Sequence, residues 1–225
     1  MNHSFKPRLD VLPLEQQQLW SALRPAASLG YTLYGGTAIA LRLGHRESVD
    51  FDFFSAQALD RKALLAAFQF LVNSTTLQDQ GDAWVVLAPA NTSSQQRVKL
   101  SFFGPIAFGR VGEPDFTEDG VLRVASLDDL MATKLKVILQ RAEAKDYRDI
   151  AAMINAGISL ARGLASARLL FGSNFQPSES LKALVYFNDG DLGTLSHSEK
   201  QTLVDEVKRI RELPQVSLIS QSLSA

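Results

Sequence analysis

Cysteine is absent from the 225 residues, which excludes disulfide bonds and thiolate metal sites. This absence fits a reducing compartment, and we expect a cytoplasmic protein without a disulfide partner. No apolar run approaches the roughly 18 residues of a membrane helix, and the first residues lack the apolar segment of a secretory signal. We therefore expect neither a membrane span nor secretion. The net charge of −1 is too small to hold nucleic acid, so a polyanion would need a local basic patch.

Several familiar catalytic patterns are also missing. The sequence has no Walker P-loop and no Ser-His-Asp arrangement, and its three histidines lack the spacing of zinc ligands. The chemistry has to be sought elsewhere in the chain.

Two halves of the chain differ in pattern. Short apolar runs alternate with helical stretches in the first half, which predicts a mixed α/β core over residues 1–115. The second half, residues 116–225, is predicted to be mainly helical. Its first helix follows Ser126, a capping residue, and we expect a break around 143–146 with Asp146 capping the next helix. Further helices are predicted at 160–171, 178–187 and 198–211.

The stretch from Leu33 to Ser55 carries the strongest chemical signal. Asp50 and Asp52 are two apart in a strand-like run, so both carboxylates project from one face, while Val49, Phe51 and Phe53 point into a core. Paired carboxylates are suitable ligands for Mg²⁺ or Mn²⁺. The turn Gly35-Gly36-Thr37, between a strand and a helix, would let backbone N–H groups approach a phosphate. A solvated strand face and an ordinary turn remain the alternative for each signal taken alone.

The combination resembles a known family. A Gly-Gly-Thr turn, a helix and then Gly-His-Arg-x-Ser-x-Asp-hydrophobic-Asp is similar to the AbiEii-type toxin nucleotidyltransferases of the polymerase-β-like superfamily. The segment from Ser126 to Ile154 resembles the family's second motif, Lys…Arg-x-x-x-Lys-Asp-aromatic-x-Asp. The matching residues are Gly35, Gly36, Thr37, Gly44, His45, Arg46, Ser48, Asp50 and Asp52 in the first motif, and Lys134, Arg141, Lys145, Asp146, Tyr147 and Asp149 in the second.

The resemblance implies a polymerase-β-like core whose helical second half completes the active-site cleft. It implies a cytoplasmic bacterial enzyme that transfers a nucleotidyl group from an NTP, in some members to a tRNA end, as the toxin of a type IV toxin–antitoxin system. Asp50 and Asp52 would hold Mg²⁺ or Mn²⁺, and Lys134 and Asp149 would complete the catalytic set. Nucleotide binding would fall to Gly35, Gly36, Thr37, Arg46, Ser48, Arg141 and Lys145.

The second motif has a simpler interpretation. On an unbroken helix Lys134, Arg141, Lys145 and Asp149 would form one stripe. Such a stripe is often only a solvated face of ion pairs.

The sequence departs from the superfamily pattern at the third carboxylate, which commonly activates the attacking hydroxyl. On the strand "RVKLSFFG" Lys99, Ser101 and Phe103 share a face, and Ser101 occupies the expected acidic position. We expect Asp149 to compensate; Asp146, Glu113 or Asp115 are alternatives, as is a protein that binds nucleotide without efficient chemistry.

Three functions therefore stay open. The first is nucleotidyl transfer to RNA, with NTP, tRNA or another RNA and a cognate antitoxin as partners. The second is transfer to an aminoglycoside-like small molecule. The third is a catalytically weak homologue that binds nucleotide or a partner protein.

Overall fold

The computed structural model describes residues 4–90 and 96–223. The chain divides into two compact units. The sheet unit consists of Met1–Ala107, Pro114–Ala125 and Ser222–Ala225, and the helical unit consists of Phe108–Glu113 and Ser126–Gln221. Within the described parts, no helix is both long and apolar enough to cross a bilayer.

One mixed sheet organises the sheet unit. Its strand order is β1-β7-β8-β2-β3-β6-β5-β4. The strands are β1 Ser4–Phe5, β2 Thr32–Tyr34, β3 Asp50–Phe54, β4 Thr75–Gln80, β5 Ala83–Pro89, β6 Arg97–Phe103, β7 Asp115–Thr117 and β8 Arg123–Val124. The helices of this unit are α1 Leu14–Leu19, α2 Pro25–Ser28, α3 Gly35–Leu43 and α4 Arg61–Ala67. The mixed α/β core predicted from the sequence is confirmed.

The centre of this sheet is apolar on one face. Phe51 and Phe53 of β3 are fully buried, and the Phe53 ring stacks on Phe102 of β6 with centroids 5.3 Å apart. Val49 was predicted to join them, but it is 56% exposed because β3 begins one residue later, at Asp50. The apolar face fixes which way β3 turns and so directs Asp50 and Asp52 to the opposite face.

Sequence periodicity does not predict three of the strands, β1, β4 and β7. β1 and β7 are two and three residues long, too short for a periodicity to register, and β7 lies in what looks like a turn-rich linker. β4 is exposed at every position, so it lacks the apolar alternation that marks a half-buried strand.

The helical unit contains α5 Leu127–Val137, α6 Ala144–Asn155, α7 Leu160–Phe171, α8 Pro177–Ala183 and α9 His197–Arg209. α5 begins after Ser126, whose side chain accepts from the Asp129 N–H, as the sequence indicates. α7 packs closely on α5 at Gly163, where a Cβ atom would collide with Met131. The core of this unit is formed by side chains such as Leu130, Leu135, Tyr147, Ile150 and Leu164.

The break between α5 and α6 differs from the prediction. α5 ends at Val137 and α6 begins at Ala144, so the interruption lies earlier than 143–146. Glu143 occupies the N-cap position, and Asp146 is a fully buried residue of the first turn rather than the cap. Lys134 and Asp149 therefore belong to different helices, and the single cationic stripe considered above does not form.

Candidate active site

The diglycine turn lies directly beside Asp52. Tyr34, the last residue of β2, is opposite Asp52 in the antiparallel pair β2–β3. Gly35 has φ of +74°, and a Cβ atom there would lie 2.5 Å from Asp52 Oδ2. Only glycine combines this backbone conformation with so close an approach. The start of α3 and the Asp52 carboxylate thus form one continuous surface.

The hydroxyl of Thr37 supports the same part of the site from its buried side. Thr37 is buried, and its hydroxyl donates to the backbone carbonyl of Asp50. Because a hydroxyl carries a single proton, the 2.7 Å contact between Thr37 Oγ1 and Ser48 Oγ must be donated by Ser48. Both side chains therefore tie α3 and the 44–48 loop to the first residue of β3. Arg46, in that loop, donates to the carbonyl of Glu47.

Asp50 and Asp52 suit a hard divalent cation. Their side chains share a face of β3, both residues are only partly buried, and carboxylate oxygens are the donors that Mg²⁺ and Mn²⁺ take. Within residues 4–90 and 96–223 no group of three or more His, Cys, Asp or Glu side chains is placed to hold a metal. His3 lies outside the described residues. A metal at this position would therefore take two protein carboxylates.

The position of the expected third carboxylate is occupied by Ser101. β3 and β6 are parallel neighbours with Asp52 opposite Ser101 and Asp50 opposite Lys99. Ser101 is 2% exposed. Lys99 Nζ lies 3.5 Å from Asp50 Oδ2. Strand alternation predicts that Lys99 lies on this face, but its position opposite Asp50 depends on the register between two distant strands, which neither strand's sequence reveals.

Two alternative acids have other partners. Asp115 is on β7, which β8 and β2 separate from β3, and its Oδ2 is 2.7 Å from Arg42 Nη1. Asp115 therefore does not stand beside Asp52. Glu113 Oε2 is 2.6 Å from Arg110 Nη1 in the helical unit.

A buried charge cluster joins α5 to α6 in the helical unit. Lys134 Nζ is 2.6 Å from Asp146 Oδ1 and 2.7 Å from Asp149 Oδ2, and both carboxylates are fully buried. Arg141 Nε approaches Asp146 Oδ2 at 2.9 Å. Burial alone would raise the pKa of Asp146, but the charges and hydrogen bonds of Lys134 and Arg141 outweigh it and hold that pKa below its ordinary value.

The outer part of this cluster is accessible. The side chain of Arg141 is 46% exposed, as is that of Lys145, whose Nζ is 2.9 Å from Glu143 Oε2. This cluster therefore combines one lysine held between two acids with two partly exposed cations at its edge, Arg141 and Lys145.

The comparisons decide the family. A family model described as nucleotidyl transferase AbiEii toxin, type IV TA system, matches residues 18–215. The chain belongs to the AbiEii family. It is accordingly a nucleotidyltransferase, and the resemblance noted in its two motifs is confirmed. Membership of this toxin–antitoxin family indicates an NTP substrate and a cognate antitoxin. Nucleotidyltransferases of this kind generally use a divalent metal.

Two similar proteins accompany this AbiEii match. An uncharacterized protein of Aquifex aeolicus (strain VF5) is 28% identical over 174 residues, which cover 75% of this chain and 81% of that protein. MenT4, a nucleotidyltransferase toxin of Mycobacterium tuberculosis H37Rv, superposes with a TM-score of 0.59 at 15% identity, covering 88% of this chain and 87% of that one. The second similarity shows the fold, and it confirms the nucleotidyltransferase architecture expected from the sequence.

Proposed function

We propose that this AbiEii-family enzyme transfers a nucleoside monophosphate from an NTP to an RNA end, such as that of a tRNA, with Mg²⁺ or Mn²⁺ held by Asp50 and Asp52. One observation carries the proposal: the Asp52 carboxylate lies against Gly35 at the start of α3, on the same face as Asp50. An anion bound at the helix start would therefore lie next to the metal carboxylates. That adjacency is what a metal-bound triphosphate requires.

The start of α3 would hold the triphosphate through its backbone. The N-cap Tyr34 makes no side-chain capping hydrogen bond, so capping does not occupy the first N–H groups of the helix. Gly35 and Gly36 would bring these donors close to phosphate oxygens at the positive end of the helix. The hydroxyls of Thr37 and Ser48 are engaged with each other and with Asp50, so these residues would shape the site rather than bind phosphate through their side chains. Arg46 would add a cation from the same loop.

Asp50 and Asp52 would hold a divalent ion, which would offset part of the negative charge of the triphosphate and so favour attack of the acceptor hydroxyl on the α-phosphorus, with pyrophosphate as the leaving group. The chain itself aligns the two carboxylates, and Gly35, which has no Cβ atom, leaves room for the carboxylate of Asp52. Lys134 and Asp149 would complete the catalytic set. Since Asp146 and Asp149 hold Lys134 between them, they would keep its ammonium in one position. Asp149 would also compensate for the missing third carboxylate.

Exposed cations favour RNA over an aminoglycoside as the acceptor. Arg141 and Lys145 are each 46% exposed and would attract a polyanion. An aminoglycoside is a polycation and would need acidic side chains at that surface.

Ser101 beside Asp52 favours the third candidate, a homologue with weak chemistry, because serine is a poor general base.

The test is transfer of label from each α-³²P-labelled NTP, with Mg²⁺, Mn²⁺ or EDTA, to total tRNA or to kanamycin. We expect labelled tRNA with metal, none with EDTA, and a loss of at least 100-fold in Asp50→Asn and Asp149→Asn. Asp82→Asn is the matched control, since Asp82 is exposed and lies outside the proposed site.

Each other outcome selects another candidate. Labelled kanamycin with unlabelled tRNA would favour the small-molecule acceptor. An NTP-induced rise in melting temperature without any product would favour the weak homologue. Wild-type transfer by Asp149→Asn, with Asp50→Asn inactive, would remove Asp149 from the mechanism. Because NTPs and tRNA are intracellular, the enzyme would act in the cytoplasm.

A further inference from the structure

The polar face shared by β3 and β6 carries a lysine beside its two acids. The parallel register places Asp50 opposite Lys99 and Asp52 opposite Ser101. Opposed residues of neighbouring strands project to the same side of the sheet. Two carboxylates, an ammonium and a hydroxyl therefore occupy adjacent positions on one face of the sheet.

Lys99 is directed at Asp50. Its Nζ lies 3.5 Å from Asp50 Oδ2, and the two side chains are 40% and 32% exposed. Along its other edge β6 pairs with β5, where the apolar residues Leu87 and Val85 lie opposite Lys99 and Ser101. A half-exposed pair of this kind contributes little to folding stability, so stability is a weak reason for a cation at this position.

The charges on this face have a simple consequence. Two-metal transfer sites place a pair of divalent ions about 4 Å apart on a shared set of carboxylates. Replacing the third carboxylate by Ser101 removes one negative charge, and Lys99 adds one positive charge. Two acids, one lysine and one divalent ion then have the same net charge as three acids with two ions. A second ion would also be repelled by the ammonium.

We propose that Lys99 takes the place of a second divalent ion: Asp50 and Asp52 hold a single ion, and the Lys99 ammonium supplies the other positive charge of the face. Lys99 is thus a positioning residue that holds Asp50 and offsets the charge of the bound triphosphate. The inference rests on the proposed metal-dependent transfer and adds the number of ions and the role of Lys99.

Titration calorimetry with Mn²⁺ alone, on the full chain, tests the ion number. We expect one Mn²⁺ per chain in the wild type. Lys99→Met removes a like charge next to the metal ligands and should still bind one ion, about tenfold more tightly, whereas Lys99→Arg should keep the wild-type affinity. Ser101→Asp alone should bind one ion. The double variant Lys99→Met/Ser101→Asp should bind two.

Transfer activity supplies the second readout. Lys99→Met should lose at least 30-fold in transfer rate, Lys99→Arg should retain most of it, and the exposed Lys62→Met is the matched control for loss of a lysine in this unit. Circular dichroism checks folding, and Lys99→Gln replaces Lys99→Met if the methionine variant misfolds.

Two results overturn the inference while leaving the proposed function intact. One is a wild type that binds two Mn²⁺ ions. The other is a Lys99→Met protein whose Mn²⁺ affinity and transfer rate both stay within twofold of wild type. A wild type that neither binds Mn²⁺ nor transfers a nucleotide would instead defeat the proposed function, and the inference with it.

Discussion

At the scale of single residues, the site depends on small residues that position the two carboxylates. Gly35 contributes the absence of a Cβ atom, which admits the Asp52 carboxylate. Thr37 contributes a hydroxyl that fixes the backbone of Asp50. Neither residue needs a reactive side chain, so both act by setting the geometry of the carboxylates.

Gly35→Ala should impair both folding and activity. The added Cβ would lie 2.5 Å from Asp52 Oδ2, and alanine at φ of +74° is strained by roughly 1–3 kcal/mol. We expect a comparable loss of unfolding free energy in urea and at least a 100-fold loss of transfer. Gly81→Ala is the control, because a Cβ atom there meets nothing within 4 Å. Wild-type transfer by Gly35→Ala would contradict the described approach of Asp52 to the turn.

Thr37→Val should separate the structural role of the hydroxyl from the phosphate contact that the sequence suggested. Valine leaves the Asp50 carbonyl and the Ser48 hydroxyl without their buried partner, at a cost of about 1–3 kcal/mol. Thr37→Ser keeps the hydroxyl and should stay near wild type in urea unfolding. If valine lowered NTP affinity without any change in stability, the hydroxyl would be a ligand contact after all.

At the scale of secondary-structure elements, the α5–α6 pair is held by charge as well as by apolar packing. Lys134 on α5 meets Asp146 and Asp149 on α6, and Arg141 in the connection closes the cluster. Such buried ion pairs are costly to break, because the partner left behind is charged and desolvated.

Lys134→Met should therefore destabilise the protein by about 3–5 kcal/mol, since it removes the ammonium that the two buried carboxylates of Asp146 and Asp149 share. The control is Lys182→Met, whose side chain is 73% exposed and paired with Glu179 on the surface. We expect the control to stay within about 0.5 kcal/mol of wild type in urea unfolding. Equal stability of the two variants would show that the cluster contributes nothing to folding.

The secondary-structure elements also show which features could be predicted from the sequence and which could not. Local patterns predicted β3, β6 and α7, and strand alternation put Asp50 with Asp52 and Lys99 with Ser101. What alternation leaves open is register: that Ser101 lies beside Asp52 depends on β3–β6 pairing across about 50 residues of chain. The pairing of Lys134 with Asp146 was likewise hidden, because helical spacing describes one helix and the contact joins two.

At the scale of the whole molecule, charge balance limits how RNA could be bound. The net charge of −1 gives no general attraction for a polyanion, so the exposed cations must act locally. In the helical unit Arg141 and Lys145 are the candidate-site cations with about half of their side chains accessible.

The affinity for tRNA should therefore depend only modestly on salt. Two phosphate contacts correspond to a slope of about −1 to −2 for log affinity against log salt concentration. Fluorescence anisotropy of labelled tRNA over a range of KCl concentrations measures this slope. Arg141→Gln should reduce the magnitude of the slope by about 1, because it removes one phosphate contact. A slope steeper than about −5 would point to a broad basic surface and contradict the local-patch description.

The lysine clamped between two acids also affects how this toxin should be studied genetically. Selection for cells that survive its expression would enrich substitutions at Lys134 whether they abolish chemistry or merely cause the polypeptide to be degraded. Survivors altered at Lys134 therefore need their protein level measured before that position is credited with catalysis. Survivors altered at the half-exposed Lys99 report on function more directly.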